Sequence, residues 1–457
     1  MKRGIIFVNR YFLRLSMCRF FIAFTILWNS CNAWGKVYID IDSPSFQQFA
    51  VAVPDFSASS ESREQAGNSA AWFSDTLTGF LRMTGFFNVI DKKAYLDDPA
   101  RPDAAPETIR FADWMAIGAE YLVKGSVRHA GSKLNLECGL YDVVKGELIV
   151  GRRYAGKDED RKKMIRKFAG EMLFALTGEG GIFNTRIAFV IKKGRTSDIY
   201  TVGFDGNDLV NETKSKTIHI SPRWSPDGRH LSFTSYEDGT PAFYVKDMLN
   251  LNTAKIFDFQ GINLPGGWSP DGKKVLLTLS KDGNEEIYTL NFIDKLLRRL
   301  TNNFAIDVSP VWSPDGSKIA FVSDRAGSPQ IYLMDADGGN VKRLTFEGNY
   351  NTSPAWSPKG DKIAYEGLGT DLKSGSGRFQ IFLIGTDGAN PQQLTFDAAD
   401  SESPSWSPDG RCLAFGSNKN GKKRIYVMNA NGSNVRVLYE GGGDCGSPSW
   451  SPRLRSD

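Results

Sequence analysis

The chain has 457 residues, of which 24% are charged, and its formal net charge is only +4. This balance argues against a nucleic-acid-binding surface and against an acidic tail. The 46 glycines and 20 prolines are typical of an exported, turn-rich β protein.

The first predicted element is a secretory signal. Five basic residues, Lys2, Arg3, Arg10, Arg14 and Arg19, precede the apolar run from Phe20 to Trp28, and Cys31-Asn32-Ala33 follows. This order predicts a secretory signal cleaved after Ala33, so that residues 1–33 form the signal peptide and the mature protein is exported. A lipoprotein signal ending at Cys31 is the alternative. The run is too short to span a bilayer, and no later apolar stretch could serve as a membrane anchor.

Residues 34–181 alternate between strand and helix periods, which predicts a small α/β domain. Strands are expected at 36–42, 49–56 and 121–127, and the segments 134–141 and 147–154 form a hairpin around Lys145-Gly146. Asn68-Ser69 would cap a helix that ends at Gly85. Further helices are expected at 108–117 and around Ile165 to Leu176, and residues 178–181 form the linker.

The remainder of the chain, residues 182–457, is organised around a repeated Trp-Ser-Pro-Asp-Gly motif. Its copies begin at Trp224, Trp268, Trp312, Trp356, Trp406 and Trp450, 44 residues apart except for one step of 50. This period is in the range of four-stranded propeller blades. Ser-Pro-Asp-Gly suits a tight turn, and the Trp would end a strand and fill the space between blades.

Each repeat contains four apolar or alternating runs, which predicts four antiparallel strands, A to D. In the third full repeat these are the run ending at Trp312, Ile319 to Val322, Ile331-Tyr332 and Arg343 to Thr345. Prolines stand two residues before most of the Trp residues, where strand A would be the inner edge of the sheet.

The two ends of the repeat region complete each other. The runs at Ile187 to Val190 and Ile199-Tyr200 are B and C strands without a preceding A strand, whereas Gly446 to Pro452 is an A strand without a following blade. Pairing them gives a six-bladed propeller closed by its last strand, which removes exposed sheet edges.

One mouth of the propeller channel is predicted to be polar and to vary from blade to blade. Five residues before each Trp stand His219, Asn263, Asp307, Asn351, Ser401 and Cys445. Thr352 and Glu402 lie one step further in, and the extra residues of the fifth blade, around Gly369 to Gly377, would stand over this mouth. Since the shared positions maintain the fold, the variable ones are free to specify a ligand. The alternative is that they only solvate a channel.

The order of a signal peptide, an α/β domain and six Trp-Ser-Pro-Asp-Gly blades resembles the TolB family of the Tol-Pal system over essentially the whole chain. Thr185 to Val190 at the junction and Pro448 to Pro452 strengthen the resemblance. It implies a monomeric periplasmic scaffold that bridges envelope partners. The propeller face would bind the peptidoglycan-associated lipoprotein Pal, and the start of the mature chain would bind the inner-membrane protein TolA.

Carried over to this sequence, the resemblance assigns lipoprotein binding to eight residues: His219, Asn263, Asp307, Asn351, Thr352, Ser401, Glu402 and Arg378. It also assigns the inner-membrane partner to the segment containing Trp34, Val37, Ile39 and Ile41. That segment could instead be an ordinary edge strand of the first domain, or could alternate between its own domain and a partner's sheet edge.

An enzymatic function is disfavoured. The sequence contains no Gly-x-Ser-x-Gly motif, and His129, His219 and His230 have no triad or zinc-ligand spacing around them. Asp335 to Gly339 is better explained as a hairpin turn than as a calcium loop. Outside the signal, Cys138, Cys412 and Cys445 allow at most one disulfide and lack metal-site spacing. We therefore expect no metal or cofactor, and the serious alternative is a propeller that binds a sugar or peptide outside the Tol system.

Overall fold

The structure is a computed structural model that describes residues 48–59, 63–96, 109–369 and 377–454. The predicted signal and the strand predicted at 36–42 lie outside these residues. No helix in the described ranges is long and apolar enough to cross a membrane.

The first part of the chain is an α/β sandwich whose sheet has the order β3-β1-β4-β5-β6, with β2 pairing to β4. β1 runs parallel to β3 and β4, and β4, β5 and β6 form an antiparallel meander. The strands are β1 (Phe49–Ala52), β2 (Ser57–Ser59), β3 (Phe87–Val89), β4 (Tyr121–Ala130), β5 (Lys133–Asp142) and β6 (Glu147–Gly156). The helices are α1 (Arg63–Met83), α2 (Phe111–Ala116) and α3 (Arg161–Thr177), with 3-10 turns at Lys92–Ala94 and Asp158–Asp160.

Two local predictions in this part need correction. The run predicted as one strand over 49–56 is divided, because Pro54 has no N–H to donate to a sheet and the chain leaves β1 at Ala52. The predicted helix cap at Asn68-Ser69 is wrong, since α1 begins at Arg63. The Ser69 hydroxyl instead lies 3.2 Å from Nε2 of His129 on β4.

The rest of the chain forms six four-stranded sheets, as predicted. Blade 1 comprises β30 (Asp444–Trp450), β7 (Arg186–Lys193), β8 (Thr196–Gly203) and β9 (Val210–Asn211). Blades 2 and 3 comprise β10 (His219–Trp224), β11 (His230–Ser235), β12 (Ala242–Asp247) and β13 (Thr253–Phe257), then β14 (Asn263–Trp268), β15 (Lys274–Leu279), β16 (Glu286–Asn291) and β17 (Leu297–Arg299). Blade 4 comprises β18 (Asp307–Trp312), β19 (Lys318–Ser323), β20 (Gln330–Asp335) and β21 (Lys342–Arg343). Blade 5 comprises β22 (Asn351–Trp356), β23 (Lys362–Gly369), β24 (Arg378–Gly385) and β25 (Gln392–Gln393), and blade 6 comprises β26 (Ser401–Trp406), β27 (Cys412–Asn420), β28 (Lys422–Asn429) and β29 (Arg436–Tyr439).

The ring closes through the antiparallel pairing of β30 with β7, in which Trp450 stands opposite Ile187 and Cys445 opposite Ile191. The Trp450 side chain is buried, and its Nε1 donates to Oγ1 of Thr185 at 2.9 Å. Closure therefore joins residues far apart in sequence, as the two unpaired fragments predicted.

The motif forms the tight A-to-B turn that its residues predict. In blade 4, Gly316 N donates to the Ser313 carbonyl at 2.9 Å, and Gly316 has a φ of 72°. Asp315 accepts from the Ser313 hydroxyl and from Ser317 N, and these hydrogen bonds lower the pKa of the Asp315 carboxyl to about 2. The turn is therefore held by its own side chains.

The inner strand A contains a feature that the sequence analysis missed. Its pairing with strand B shifts register in every blade, as between Val308 and Val311 in blade 4. In all blades but blade 3, a serine with positive φ occupies this bulge, at Ser221, Ser309, Ser353, Ser403 and Ser447. Each serine precedes one of the conserved-spacing prolines. The prolines are accommodated by the bulge, which frees them from the ladder, and not simply by an edge position.

The α/β part packs on the end of the propeller that carries the A-to-B and C-to-D turns. Phe80 of α1 contacts Phe204 of blade 1 with ring centroids 5.1 Å apart, and Arg411 of blade 6 lies 3.8 Å from the Phe86 ring. One hydrophobic cluster includes buried residues of both parts. The opposite end of the propeller, with its D-to-A and B-to-C loops, is free of these contacts.

Candidate functional site

The predicted mouth, here called the D–A mouth, is built from the D-to-A and B-to-C loops. These loops hydrogen-bond to each other, as predicted for loops that share a face. Asp307 N donates to the Glu285 carbonyl, Asn351 N to the Pro329 carbonyl and Leu368 N to the Tyr350 carbonyl, each at 2.9 Å. The mouth is thus a hydrogen-bonded rim and not a set of independent loops.

The residues five before each Trp lie at this mouth, but their side chains point into the rim. His219, Asn263, Asp307, Asn351, Ser401 and Cys445 are each at most 3% exposed. Side chains this buried cannot contact a ligand directly and affect the surface only by fixing the loops around them. The expectation that these variable side chains form an open polar ring therefore has to be revised.

Asp307 is the most strongly bonded of them. Nη2 of Arg325 lies 3.1 and 2.8 Å from its two carboxylate oxygens, and Asn303 Nδ2 donates to Oδ2 at 2.8 Å. Arg325 is itself only 25% exposed. This buried ion pair ties the B-to-C loop of blade 4 to the D-to-A loop that precedes it.

The amides act in the same way through backbone carbonyls. Asn263 Nδ2 lies 2.9, 2.6 and 3.1 Å from the carbonyls of Pro241, Phe259 and Gly261. Asn351 Nδ2 donates to the Glu347 carbonyl at 2.8 Å. Each amide thereby closes its own D-to-A loop.

His219 in blade 2 also contacts a backbone carbonyl. Its Nδ1 lies 3.2 Å from the Ser197 carbonyl. Burial lowers the pKa of the imidazole, although the Ser197 contact and the Asp198 carboxylate oppose the shift. The ring is therefore neutral near pH 7 and serves as a hydrogen-bonding group.

The predicted residues that a partner can reach are Thr352, Glu402 and Arg378. Thr352 and Glu402 are half-buried and Arg378 is exposed. Glu402 forms an ion pair with Lys423, and Arg378 Nη1 lies 3.5 Å from Oδ2 of Asp400. These three lie on blades 5 and 6, so the accessible charge of the predicted set is confined to one side of the mouth.

A buried carboxyl stands behind them. Glu366 pairs with Thr352 across the β22–β23 ladder, and its Oε2 accepts from Ser403 N at 3.0 Å. Burial raises the pKa of Glu366, and the neighbouring Glu402 carboxylate raises it further. The sequence analysis did not single out Glu366. Its equivalents in other blades are apolar or hydroxyl residues, so the repeat pattern did not indicate a functional carboxyl at this position.

Three exposed phenylalanines are the second feature that sequence reasoning missed. Phe304, Phe346 and Phe396 lie in the D-to-A loops of the blade 3–4, 4–5 and 5–6 junctions and are 91%, 72% and 77% exposed. The sequence could have indicated two of these phenylalanines, since Phe346 and Phe396 directly follow the Leu-Thr pair that comes after strand D. Large aromatic residues exposed on one face are unusual for a surface that binds nothing.

The threonine before each of these two aromatics explains why the ring faces outward. Thr345 Oγ1 accepts from Ile331 N at 2.9 Å and donates to Gln330 Oε1 at 2.7 Å, so its side chain is fixed inside the blade. The next residue, Phe346, is then directed to the outside of the loop.

The longer fifth blade extends the same end of the propeller. β23 and β24 form a hairpin whose pairing reaches from Lys362–Gly385 to Gly369–Arg378. Residues 370–376 lie outside the described part of the chain, so their predicted position over the mouth stays a prediction. Trp34, Val37, Ile39 and Ile41 likewise lie outside it.

The histidines, cysteines and acidic turn residues considered in the sequence analysis have the following surroundings in the described ranges. No group of three or more His, Cys, Asp or Glu side chains there could hold a metal ion. His230 stacks on Trp268 with centroids 5.9 Å apart, and His129 contacts Ser69. Asp335 forms a hairpin turn with Gly339, as predicted. Cys138, Cys412 and Cys445 are buried free thiols.

Comparison with known proteins identifies the two parts. The family profile described as "TolB amino-terminal domain" matches residues 37–149, and that of the "TolB beta propeller domain" matches residues 174–454. The second covers more than half of the chain. The chain belongs to the TolB family. The observed fold, a small α/β domain followed by a six-bladed propeller, is the fold of that family.

Curated TolB relatives agree. The chain is 51% identical over 233 residues to "Tol-Pal system protein TolB" of Syntrophus aciditrophicus, and 41% identical over 229 residues to the protein of that name in Desulfosudis oleivorans. Each match spans about half of this chain and about half of the relative, 50% and 51%. A crystal structure of TolB from Acinetobacter baumannii superposes with a TM-score of 0.76 at 27% identity, covering 89% of this chain and 97% of that one.

Proposed function

We propose that this TolB-family chain is a non-enzymatic periplasmic scaffold that joins two partners in the cell envelope. The D–A mouth binds a Pal-like peptidoglycan-associated lipoprotein, and the segment with Trp34, Val37, Ile39 and Ile41 binds a TolA-like inner-membrane protein. Through these contacts the chain would support envelope integrity and cell division. Relatives named as Tol-Pal system proteins support this assignment.

The observation that carries the proposal is the crown of Phe304, Phe346 and Phe396 around the D–A mouth. Aromatic side chains supply much of the free energy at protein interfaces, especially where buried polar groups hold them in place. Here the inward-facing residues such as Asp307 and Asn351 fix the loops that present the rings. The predicted site residues thus divide into Thr352, Glu402 and Arg378, which would touch the lipoprotein, and buried residues that would position the loops.

The α/β part leaves this surface available. It contacts the end of the propeller that carries the A-to-B and C-to-D turns, here called the turn end. Phe80 of α1 packs on Phe204, and Nη2 of the propeller residue Arg436 donates to the Met83 carbonyl of α1 at 3.3 Å. A partner at the D–A mouth and one at the first domain could therefore be bound at the same time.

The test is binding of the purified full chain to the soluble domain of the lipoprotein from the same organism, measured by calorimetry. Replacing both Phe346 and Phe396 with Ala should weaken binding at least tenfold without lowering the thermal midpoint, because exposed rings stabilise the fold little. Phe174→Ala is the matched control, since Phe174 is 61% exposed but lies on α3. Unchanged affinity in the double variant would rule out the D–A mouth.

The second contact is tested separately. A chain lacking residues 34–44 should keep its affinity for the lipoprotein and lose binding to the inner-membrane partner in a pull-down assay. Normal capture of that partner by the shortened chain would show that the segment is only part of the first domain.

A further inference from the structure

The turn end of the propeller channel contains a cavity that the proposed function does not use. Its volume is about 360 Å³, and it lies among the strand-A bulges and the Trp-Ser-Pro motifs. The bulge serines Ser221, Ser309, Ser353, Ser403 and Ser447 contribute to its wall. None of its lining residues belongs to the α/β part, so the cavity is not filled by the docked domain.

Arg223 is the only charged residue among those that line the cavity. It stands one residue before the blade 2 Trp, a position at which the other blades carry Gly267, Val311, Ala355, Ser405 and Ser449. These residues are small, so one long cationic side chain shares the channel with short neighbours. Of the six equivalent positions, only that of Arg223 carries a charged side chain.

The charge of Arg223 is not neutralised by the described part of the protein. Its guanidinium donates one hydrogen bond, from Nη1 to the Pro222 carbonyl at 3.1 Å, and it forms no ion pair with a described carboxylate. Lys423 on β28, by contrast, has Glu402 as its ion-pair partner. Burial accordingly lowers the pKa of Arg223, with no neighbouring carboxylate acting against the shift.

Arg223 is half-buried in the channel wall, and partial burial of a cation without a counter-charge is costly. Four of its five N–H donors remain for another acceptor. Guanidinium groups pair well with carboxylate and phosphate oxygens. Serine hydroxyls around the wall can donate to the remaining oxygens. We propose that this cavity binds a small oxyanion, a carboxylate or a phosphate, with Arg223 as its counter-charge.

The experiment is isothermal titration of the full chain with inorganic phosphate and, separately, with acetate, in a chloride-free zwitterionic buffer. One-to-one saturable binding is expected for at least one of the two, and the stronger of them identifies the class of ligand. Arg223→Gln should bind roughly 10- to 100-fold more weakly, as expected when a hydrogen bond to a charged group is lost. Arg223→Lys keeps the charge without the planar guanidinium, so its affinity for the anion should lie between those of the native chain and Arg223→Gln.

Arg153→Gln is the charge-matched control, because Arg153 is exposed on β6 and pairs with Glu137. It should bind the anion as the native chain does. Equal affinity in folded Arg223→Gln, or no saturable binding by the native chain up to about 10 mM anion, would overturn the proposal. No protein partner is present in this assay, and Arg223→Gln should still bind the lipoprotein, so the two proposals fail independently.

Discussion

Asp307 shows how a residue that differs between blades can serve the loop and not a ligand. Its carboxylate is fully buried and bonded to both Arg325 and Asn303. The Nδ2 amide of the equivalent Asn263 donates its two hydrogens among three carbonyls, those of Pro241, Phe259 and Gly261, around a differently shaped loop. Sequence variation at this position therefore follows the shape of each D-to-A loop, and the surface chemistry lies on neighbouring residues such as Phe346.

Replacing Asp307 with Ala should lower the free energy of unfolding by roughly 3 kcal/mol, because Arg325 would lose its buried partner. Urea unfolding followed by tryptophan fluorescence measures the change. Glu137→Ala, which removes an exposed ion pair with Arg153, should cost about 0.5 kcal/mol or less. A folded Asp307→Ala chain with native stability but no affinity for the lipoprotein would mean that Asp307 contacts the partner directly.

Glu366 should make stability depend on pH. Burial raises the pKa of its carboxyl in the folded chain above the ordinary value of 4.5. The folded state therefore favours the protonated form. The contribution to stability is complete below about pH 4.5 and is lost as the pH rises through the folded-state pKa.

Glu366→Gln should consequently be more stable than the native chain at pH 7, with the difference disappearing below pH 4.5. The glutamine carbonyl can still accept the hydrogen bond from Ser403 N. Thermal midpoints measured across pH 4 to 8 test this expectation, with Glu440→Gln as an exposed control. A native chain that is more stable than Glu366→Gln at pH 7 would contradict it.

At the scale of elements, the repeats determined what could be predicted. The Trp motif occurs six times, and the alternating runs and turn residues recur in most copies, so an error in one copy is corrected by the others. The α/β part has one copy of each signal, and there the start of α1 at Arg63 and the break after Ala52 were missed. At the mouth, the sequence placed the D-to-A and B-to-C loops together, as their hydrogen bonds show, but did not reveal which side chains face outward.

The direction of the side chains at the mouth could not be predicted from the sequence, because strand A is not a regular strand. A register shift reverses the alternation of inward and outward residues, and in five of the six blades a serine with positive φ accompanies the shift. Positive φ at a serine carries no distinct sequence signal beyond the following proline. The sequence pattern therefore does not determine the orientation of Asp307.

The bulge should tolerate glycine and reject β-branched residues. Ser309 has a φ of 55°, where valine is strained and glycine is not. Ser309→Val should lower the free energy of unfolding by about 1–3 kcal/mol, whereas Ser309→Gly should change it little or stabilise the chain. Chemical denaturation of the two variants distinguishes these outcomes. Equal stability of the two would show that the backbone at this position is not constrained.

At the scale of the whole molecule, the two parts share one hydrophobic cluster. Phe183 and Phe204 pack with Phe80 of α1, and Arg436 donates to the last carbonyl of that helix. Because the loop after α1 also carries β3, which pairs with β1, the propeller supports the sheet of the first domain as well as its helix. Loss of this contact would expose apolar surface on both sides.

We therefore expect the α/β part and the propeller to unfold in one transition. Amides of α1 and of β19 in blade 4 should lose protection at the same denaturant concentration in hydrogen exchange measured by mass spectrometry. Phe204→Ala should lower both midpoints together, by a free energy of about 3–5 kcal/mol, since the ring is 1% exposed. Phe396→Ala, a ring exposed at the D–A mouth, should shift neither. Loss of protection in α1 well before β19 in the native chain would show that the two parts are energetically independent despite their common core.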